Sequence, residues 1–260
     1  MSLSDRQHLI FDADDTLWEN NRYFEQAFDD FVSFLNHEHL DAAAIREVLD
    51  TIQREHRDQH GYGSRVFARS LKETYIRVMA ATSDLPVPPE VEHFGLRILE
   101  QAMEPIPGVT ETLAALRPHH DLILLTKGNV EEQRAKIERS DIAYLFDEAL
   151  VVAEKHPETY RNLVREHDLD PARTWMIGNS PRSDINPALQ AHINAVFIPH
   201  PLTWKLEVEE ISHIRHHHPG ELIELETFPQ LQDVFLPEPP ADDRSHHLVH
   251  GRSTDYGERD

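Results

Sequence analysis

Apolar residues recur along the chain in two different rhythms. Between Glu19 and Glu104 the rhythm is helical: Phe24, Ala27, Phe28, Phe31, Val32 and Leu35 stand three and four residues apart. Ile45, Val48, Leu49 and Ile52 repeat it, and so do Phe67, Leu71, Tyr75, Val78 and Met79. A further segment runs through Val91, Phe94, Leu96, Ile98 and Leu99, set off by the proline-rich break Leu85-Pro86-Val87-Pro88-Pro89. The spacing predicts a bundle of about four helices.

On either side the rhythm changes to short apolar runs followed by polar loops and amphipathic segments. Strands are expected at His8 to Phe11, Leu122 to Leu125, Ala149 to Val152, Thr174 to Ile177 and Ala195 to Ile198. Helices are expected between them, over Val109 to Leu116, Val130 to Arg139, Pro157 to Glu166 and Asp184 to Ala191. Asn129 with Glu132 suits a capping box, and Pro157 suits a first helical position. Strands that alternate with helices imply an α/β fold: a Rossmann-like parallel sheet flanked by helices. The helical region reads as an all-α insertion, residues 19–104, within a core of residues 1–18 and 105–236. Leu222 to Phe235 is expected to add a last short element to that core, and the polar tail from Pro237 onward to be disordered.

Charge narrows the picture. The chain holds 47 acidic residues against 25 lysines and arginines, a formal net charge of −22. Such a surface repels nucleic acid and anionic membranes, so neither is an expected partner. An anionic substrate would need locally placed cations. No run of about 18 apolar residues suggests a membrane span, and Leu9-Ile10-Phe11 is too short for a signal peptide's apolar core. A cytoplasmic location is the expectation. Cysteine is absent, which excludes disulfides, thiolate metal sites and thiol nucleophiles.

In a doubly wound sheet, ligands bind beyond the carboxyl ends of the strands. The first strand runs into Asp12-Ala13-Asp14-Asp15-Thr16, and the second ends at Thr126-Lys127-Gly128-Asn129. The third leads to Glu154-Lys155-His156-Pro157, and the fourth to Gly178-Asn179-Ser180-Pro181-Arg182-Ser183-Asp184. Singly, each has an ordinary role: Thr126 as a strand-end hydroxyl, Lys155 as a solvated lysine, Asp184 as a helix-start acid. Together they bring carboxylates, a hydroxyl and a lysine to one sheet edge.

Asp-x-Asp-x-Thr after an apolar strand, then a strand-terminal Thr, a Lys and an acidic loop resemble the four motifs of the haloacid dehalogenase superfamily, in order. The resemblance implies a phosphatase-type hydrolase acting on a small phosphorylated metabolite. Asp12 would be the nucleophile, forming an aspartyl phosphate, and Asp14 the general acid and base. Thr126, Lys127 and Lys155 would bind the phosphoryl group. Mg²⁺ would be held by Asp12, Asp14, Asn179 and Asp184. In most of the family the last motif opens Gly-Asp, whereas here it reads Gly178-Asn179. Asparagine brings an oxygen but no charge, so weaker metal binding is expected, with Asp184 the main acidic contributor. Lys155 is followed by His156 before Pro157, a loop variation of small consequence.

In relatives an insertion at this place forms a cap over the active site, so the resemblance implies an inserted all-α cap domain in which substrate choice would lie. The segment Arg54 to Arg65 is expected to be a loop over the site, because Gly61 and Gly63 interrupt the helical pattern and cations concentrate there. His56, Arg57, Tyr62 and Arg65 are its candidate specificity residues. His213, His216, His217 and His218, like His246 and His247, lack the partners of a zinc pattern and read as solvated runs. A phosphomutase would share all four motifs and a dehalogenase would share Asp12, though it needs neither Asp14 as acid nor Mg²⁺. A catalytically silent scaffold on the same fold, with Asn179 as the lesion, is the remaining alternative.

Overall fold

A computed structural model describes residues 3–35, 41–79, 86–211 and 220–237. Both histidine groups, at 213–218 and 246–247, lie outside them, as do Leu85 and the tail beyond Pro237. Six strands, β1 (His8–Phe11), β2 (Asp121–Lys127), β3 (Glu148–Val152), β4 (Thr174–Gly178), β5 (Asn194–Phe197) and β6 (Leu222–Glu224), form one sheet. Its order is β3-β2-β1-β4-β5-β6, and every pairing is parallel. The order reverses direction at β1, so the loops after β1 and β4 diverge and leave a crevice there.

The central strands carry unbroken apolar runs, Leu9 to Phe11, Leu122 to Leu125 and Trp175 to Ile177, because both faces are covered. Alternation then sorts their side chains. Leu9, Phe11, Leu122, Leu124, Trp175 and Ile177 face one way, into a cluster with Val109, Leu113, Leu231 and Phe235. Ile10, Ile123, Leu125 and Met176 face the other, against Tyr160, Leu163 and Ala188. Phe11 is level with Leu124 on one side and Ile177 on the other, so Asp12 emerges between β2 and β4 at the carboxyl edge of the sheet.

The inserted region holds α1 (Asn21–Leu35), α2 (Ala42–His60), α3 (Ser64–Met79) and α4 (Pro89–Leu96), the last continuing as a 3₁₀ turn, Arg97–Glu100. It has an apolar cluster of its own, built on Phe28, Phe31, Leu49, Phe67, Leu71 and Val91. Its two connections run side by side: Glu19 N–H donates to Glu104 O (2.9 Å), and Ile106 N–H to Leu17 O (2.9 Å). A narrow paired hinge of this kind lets the helices sit over the sheet edge while the core cluster stays unbroken.

Around the sheet follow α5 (Val109–Leu116), α6 (Val130–Arg139), α7 (Pro157–Glu166), α8 (Asn186–Gln190) and α9 (Leu231–Phe235). Three expectations change. The region expected as one helix from Asp184 to Ala191 splits into a wide π-type turn, Pro181–Ile185, and α8. Pro187 has no N–H to offer the preceding turn, and Ser180 Oγ accepts Ser183 N–H instead (3.0 Å). Residues Arg54 to His60 are helical, the last two turns of α2, so the loop is only Gly61 to Gly63. The capping box at Asn129 is half formed: Asn129 accepts Glu132 N–H (3.1 Å), but the Glu132 carboxylate turns to the insertion.

Candidate active site

A cavity of about 160 Å³ opens at the crevice between the sheet edge and the inserted helices. Asp12, Asp14, Thr126, Lys127, Lys155, Asn179 and Asp184 all line it. All the residues expected at the sheet edge therefore meet in one place.

Lys155 is the centre of charge. It is 2% exposed, and its Nζ donates to Asp12 Oδ1 (2.5 Å) and to Asp184 Oδ1 (2.8 Å). Burial disfavours its ammonium, but the two carboxylates outweigh burial and raise its pKa. Asp12 is pushed up to about 7, by burial first and by the Asp184 charge second, against the opposing pull of Lys155. One lysine shared by two buried carboxylates leaves a surplus of negative charge. Gly178 makes the arrangement possible, because a Cβ there would lie 2.3 Å from Asp184 Oδ2.

Asp14 has different surroundings. Its carboxylate accepts from Trp18 Nε1 (2.8 Å), Gln133 Nε2 (2.9 Å) and Lys136 Nζ (3.0 and 2.9 Å). Burial works against its charge, yet Lys136 and these donors outweigh it and hold the pKa below the ordinary value. The turn that presents Asp14 depends on Asp15, which adopts φ +63°. Asp15 is held there by accepting the N–H groups of Asn20 (2.8 Å) and Asn21 (2.9 Å).

The donor set fits a hard cation. Thr16 has one hydroxyl proton but faces two acceptors, Asp12 Oδ2 (3.1 Å) and Asn179 Oδ1 (3.2 Å). Two oxygens that share one donor, beside a surplus carboxylate, suit Mg²⁺ with its preference for oxygen ligands. Asp15, Glu19 and His200 also stand within metal-ligand spacing of one another. There His200 Nδ1 accepts Leu202 N–H (3.3 Å), and Asp15 caps the hinge. That cluster is a structural tie beside the hinge.

Thr126 donates to Gln133 Oε1 (3.3 Å). Lys127 reaches the cavity, but its ammonium is taken up by Glu207 Oε1 (2.7 Å) and Ser183 Oγ (2.5 Å). It also lies 4.5 Å above the Tyr62 ring. Of the expected specificity residues, Arg57 and Tyr62 line the cavity. His56 stands behind it, bonded to Ser70 (3.0 Å), and Arg65 is exposed on α3, off the cavity. The helical path of α2 explains the difference, since residues 56 and 57 point about 100° apart.

Several residues escaped sequence reading. Trp18, Gln133 and Lys136 position Asp14, and Gln53, Trp204 and Glu207 close the walls. Gln133 and Lys136, three apart on α6, lie on the helix face nearest Asn129; that spacing was the available signal. Trp204 and Glu207 come from the irregular stretch after Pro199 and carried none.

A family model of haloacid dehalogenase-like hydrolases matches residues 7–192. No curated protein matches the chain. Among solved structures, a haloacid dehalogenase-like family hydrolase from Xanthomonas campestris is 34% identical, with a TM-score of 0.69 over 75% of this chain and 82% of that one. A magnesium-bound HAD-hydrolase from Bacillus subtilis, YfnB, is 17% identical, with a TM-score of 0.60 over 89% and 99%. A predicted phosphoglycolate phosphatase from Haemophilus somnus is 16% identical, with a TM-score of 0.58 over 90% and 99%. With its motifs gathered at one sheet edge and a family match across most of its length, the chain belongs to the haloacid dehalogenase-like hydrolases and is an enzyme of that family.

Proposed function

We propose that the enzyme hydrolyses a small phosphomonoester through an aspartyl phosphate on Asp12. The observation that carries this reading is the pair of carboxylates, Asp12 and Asp14, two residues apart on one cavity wall with Lys155 against the first. A dehalogenase would have no use for the second carboxylate.

In the first step an Asp12 oxygen attacks phosphorus, the bond from phosphorus to the ester oxygen breaks, and the leaving alkoxide takes a proton from Asp14. In the second, Asp14 removes a proton from water, which attacks the aspartyl phosphate and frees orthophosphate and Asp12. Asp14 stands ionised between Trp18, Gln133 and Lys136, which is the form the second step requires. Its acid role requires a carboxyl displaced from Lys136, as a bound leaving group would do. Lys155 holds Asp12 in place and neutralises charge, and Thr126 offers its hydroxyl to a phosphoryl oxygen. Asp12, Asn179, Asp184 and the Asp14 carbonyl would hold Mg²⁺, which when bound supplies positive charge to the phosphoryl oxygens. The inserted helices act as a cap that excludes water during transfer.

The test is hydrolysis of para-nitrophenyl phosphate and a panel of phosphate esters, with Mg²⁺ or EDTA, beside Asp12→Asn. We expect Mg²⁺-dependent phosphate release that Asp12→Asn reduces by at least about 10³-fold. Release that survives the substitution would remove Asp12 as nucleophile. An inactive wild type would move weight to a mutase or to a silent scaffold.

A further inference from the structure

The α2 face turned toward the sheet carries Arg46, Asp50, Gln53 and Arg57, spaced four, three and four residues apart. That spacing makes one stripe along the helix. The neighbouring face is committed elsewhere, with Ile45 and Leu49 in the insertion's apolar cluster. Three members of the stripe have charged partners. Arg46 pairs with Glu25 and lies 3.5 Å above the Phe28 ring; Asp50 accepts from Lys205 (3.1 Å); Arg57 pairs with Asp58 (2.9 Å).

Gln53 differs. It lines the cavity, and its Oε1 is buried with no hydrogen-bond partner. Among the described residues one other buried side-chain atom lacks a hydrogen-bond partner, His8 Nδ1, and it stands 3.0 Å from an Asp121 carboxylate oxygen. The two arginines of the stripe turn to Glu25 and Asp58 rather than to Gln53. Phe24, Val66 and Phe67 are apolar, and Ser70 gives its proton to Val66 O (3.0 Å). A buried acceptor without a donor is unfavourable unless a ligand or water meets it, and this one stands where a ligand would be. Amide oxygen accepts only, so the group that meets it must be an O–H or N–H. Asp12 and Lys155 lie at the other end, on the sheet edge, where the phosphoryl group belongs.

We infer that Gln53 is a specificity-determining residue, and that the substrate is a phosphomonoester whose alcohol carries a further hydroxyl or amino group donated to Gln53 Oε1. This rests on the phosphomonoesterase reading above for the phosphoryl end, and adds the chemistry of the leaving group. A leaving group that presents only acceptors, such as a carboxylate, would leave Gln53 Oε1 unmet.

The test compares ethyl, propyl and butyl phosphate with their terminally hydroxylated and aminated counterparts, at saturating Mg²⁺. The readout is the ratio of kcat/KM within each pair for wild type, Gln53→Met and Gln53→Glu. Wild type should favour a donor-bearing ester by about tenfold or more at one chain length. Gln53→Met, which keeps length but loses the amide, should bring that ratio near one, and Gln53→Glu, which keeps an acceptor, should retain the preference. A preference for the hydroxyl or for the amine identifies the donor. A ratio unchanged in Gln53→Met, or lost equally in both variants, overturns the inference. If wild type hydrolyses no ester, the same compounds are titrated calorimetrically. A Gln53-dependent binding preference would then keep the inference and overturn the phosphatase, and its absence would overturn both.

Discussion

Glu207 shows how much one side chain can hold together here. It is 7% exposed, and its carboxylate accepts from Lys127 Nζ (2.7 Å), Ser180 Oγ (2.7 Å) and Ser183 Oγ (2.5 Å). Burial works against its charge, but Lys127 and the two hydroxyls outweigh it and lower its pKa. A depressed folded pKa contributes stability that is present above the unfolded value and lost as pH falls through the folded one. Glu207→Gln should therefore cost about 2 kcal/mol at pH 7. The gap in melting temperature should narrow as the pH drops below about 4, the region where an ordinary glutamate titrates. A gap independent of pH would mean that the charge of Glu207 contributes nothing beyond its shape. Residues of this kind also mark the limit of sequence reading. Asp12, Thr126 and Lys155 were legible because each sits at or just past the end of an apolar strand, where the fold class alone places a ligand. Glu207 and Trp204 reach the site from an irregular segment, and only tertiary contact brings them there. Gln53 lay on a visible helical stripe, but a polar stripe on a helix ordinarily reads as a solvated face.

At the scale of elements, the join between α3 and α6 governs how the inserted helices meet the core. Glu132, in the first turn of α6, accepts Ser64 N–H (3.0 Å) and Ser64 Oγ (2.6 Å), so a carboxylate from the core caps the first residue of α3. Gly63 leaves room for it: a Cβ there would lie 2.7 Å from Glu132 Oε2, and its φ of +121° suits glycine. Tyr62 adds a second tie, donating to Glu154 Oε2 (2.6 Å). The sequence pattern predicted a capping box from Asn129 and Glu132, and the local half is present; the other half is spent across the join, which no local pattern reveals. Glu132→Ala should remove about 1–2 kcal/mol of stability. It should also raise amide exchange at the start of α3 while β1 and β4 keep their protection. Wild-type exchange over Ser64 to Phe67 would show that the remaining contacts, Tyr62 with Glu154 among them, hold the join without Glu132.

Over the whole molecule, charge governs how a substrate approaches. The net charge is −22, and the cavity does not reverse it locally. Its cationic side chains are Arg46, Arg57, Lys127, Lys136 and Lys155, while Asp12, Asp14, Asp15, Glu25, Glu132, Asp184 and Glu207 line it as well. Every one of those five cations already has a carboxylate partner. A divalent ion would bring the cavity close to neutral, leaving the long-range field of an acidic protein to act on an approaching phosphate ester. That field extends about 30 Å at 0.01 M ionic strength and about 8 Å at 0.15 M. With Mg²⁺ held saturating, kcat/KM for a dianionic ester should therefore rise with added salt, by about twofold to fivefold over that range. An enzyme that drew its substrate in by a positive funnel would show the opposite slope. A fall in kcat/KM with salt would mean that Lys127, Lys136 or Arg57 gives up its carboxylate partner before the substrate arrives. The inserted helices would then open further than the ties at Glu132 and Glu154 suggest.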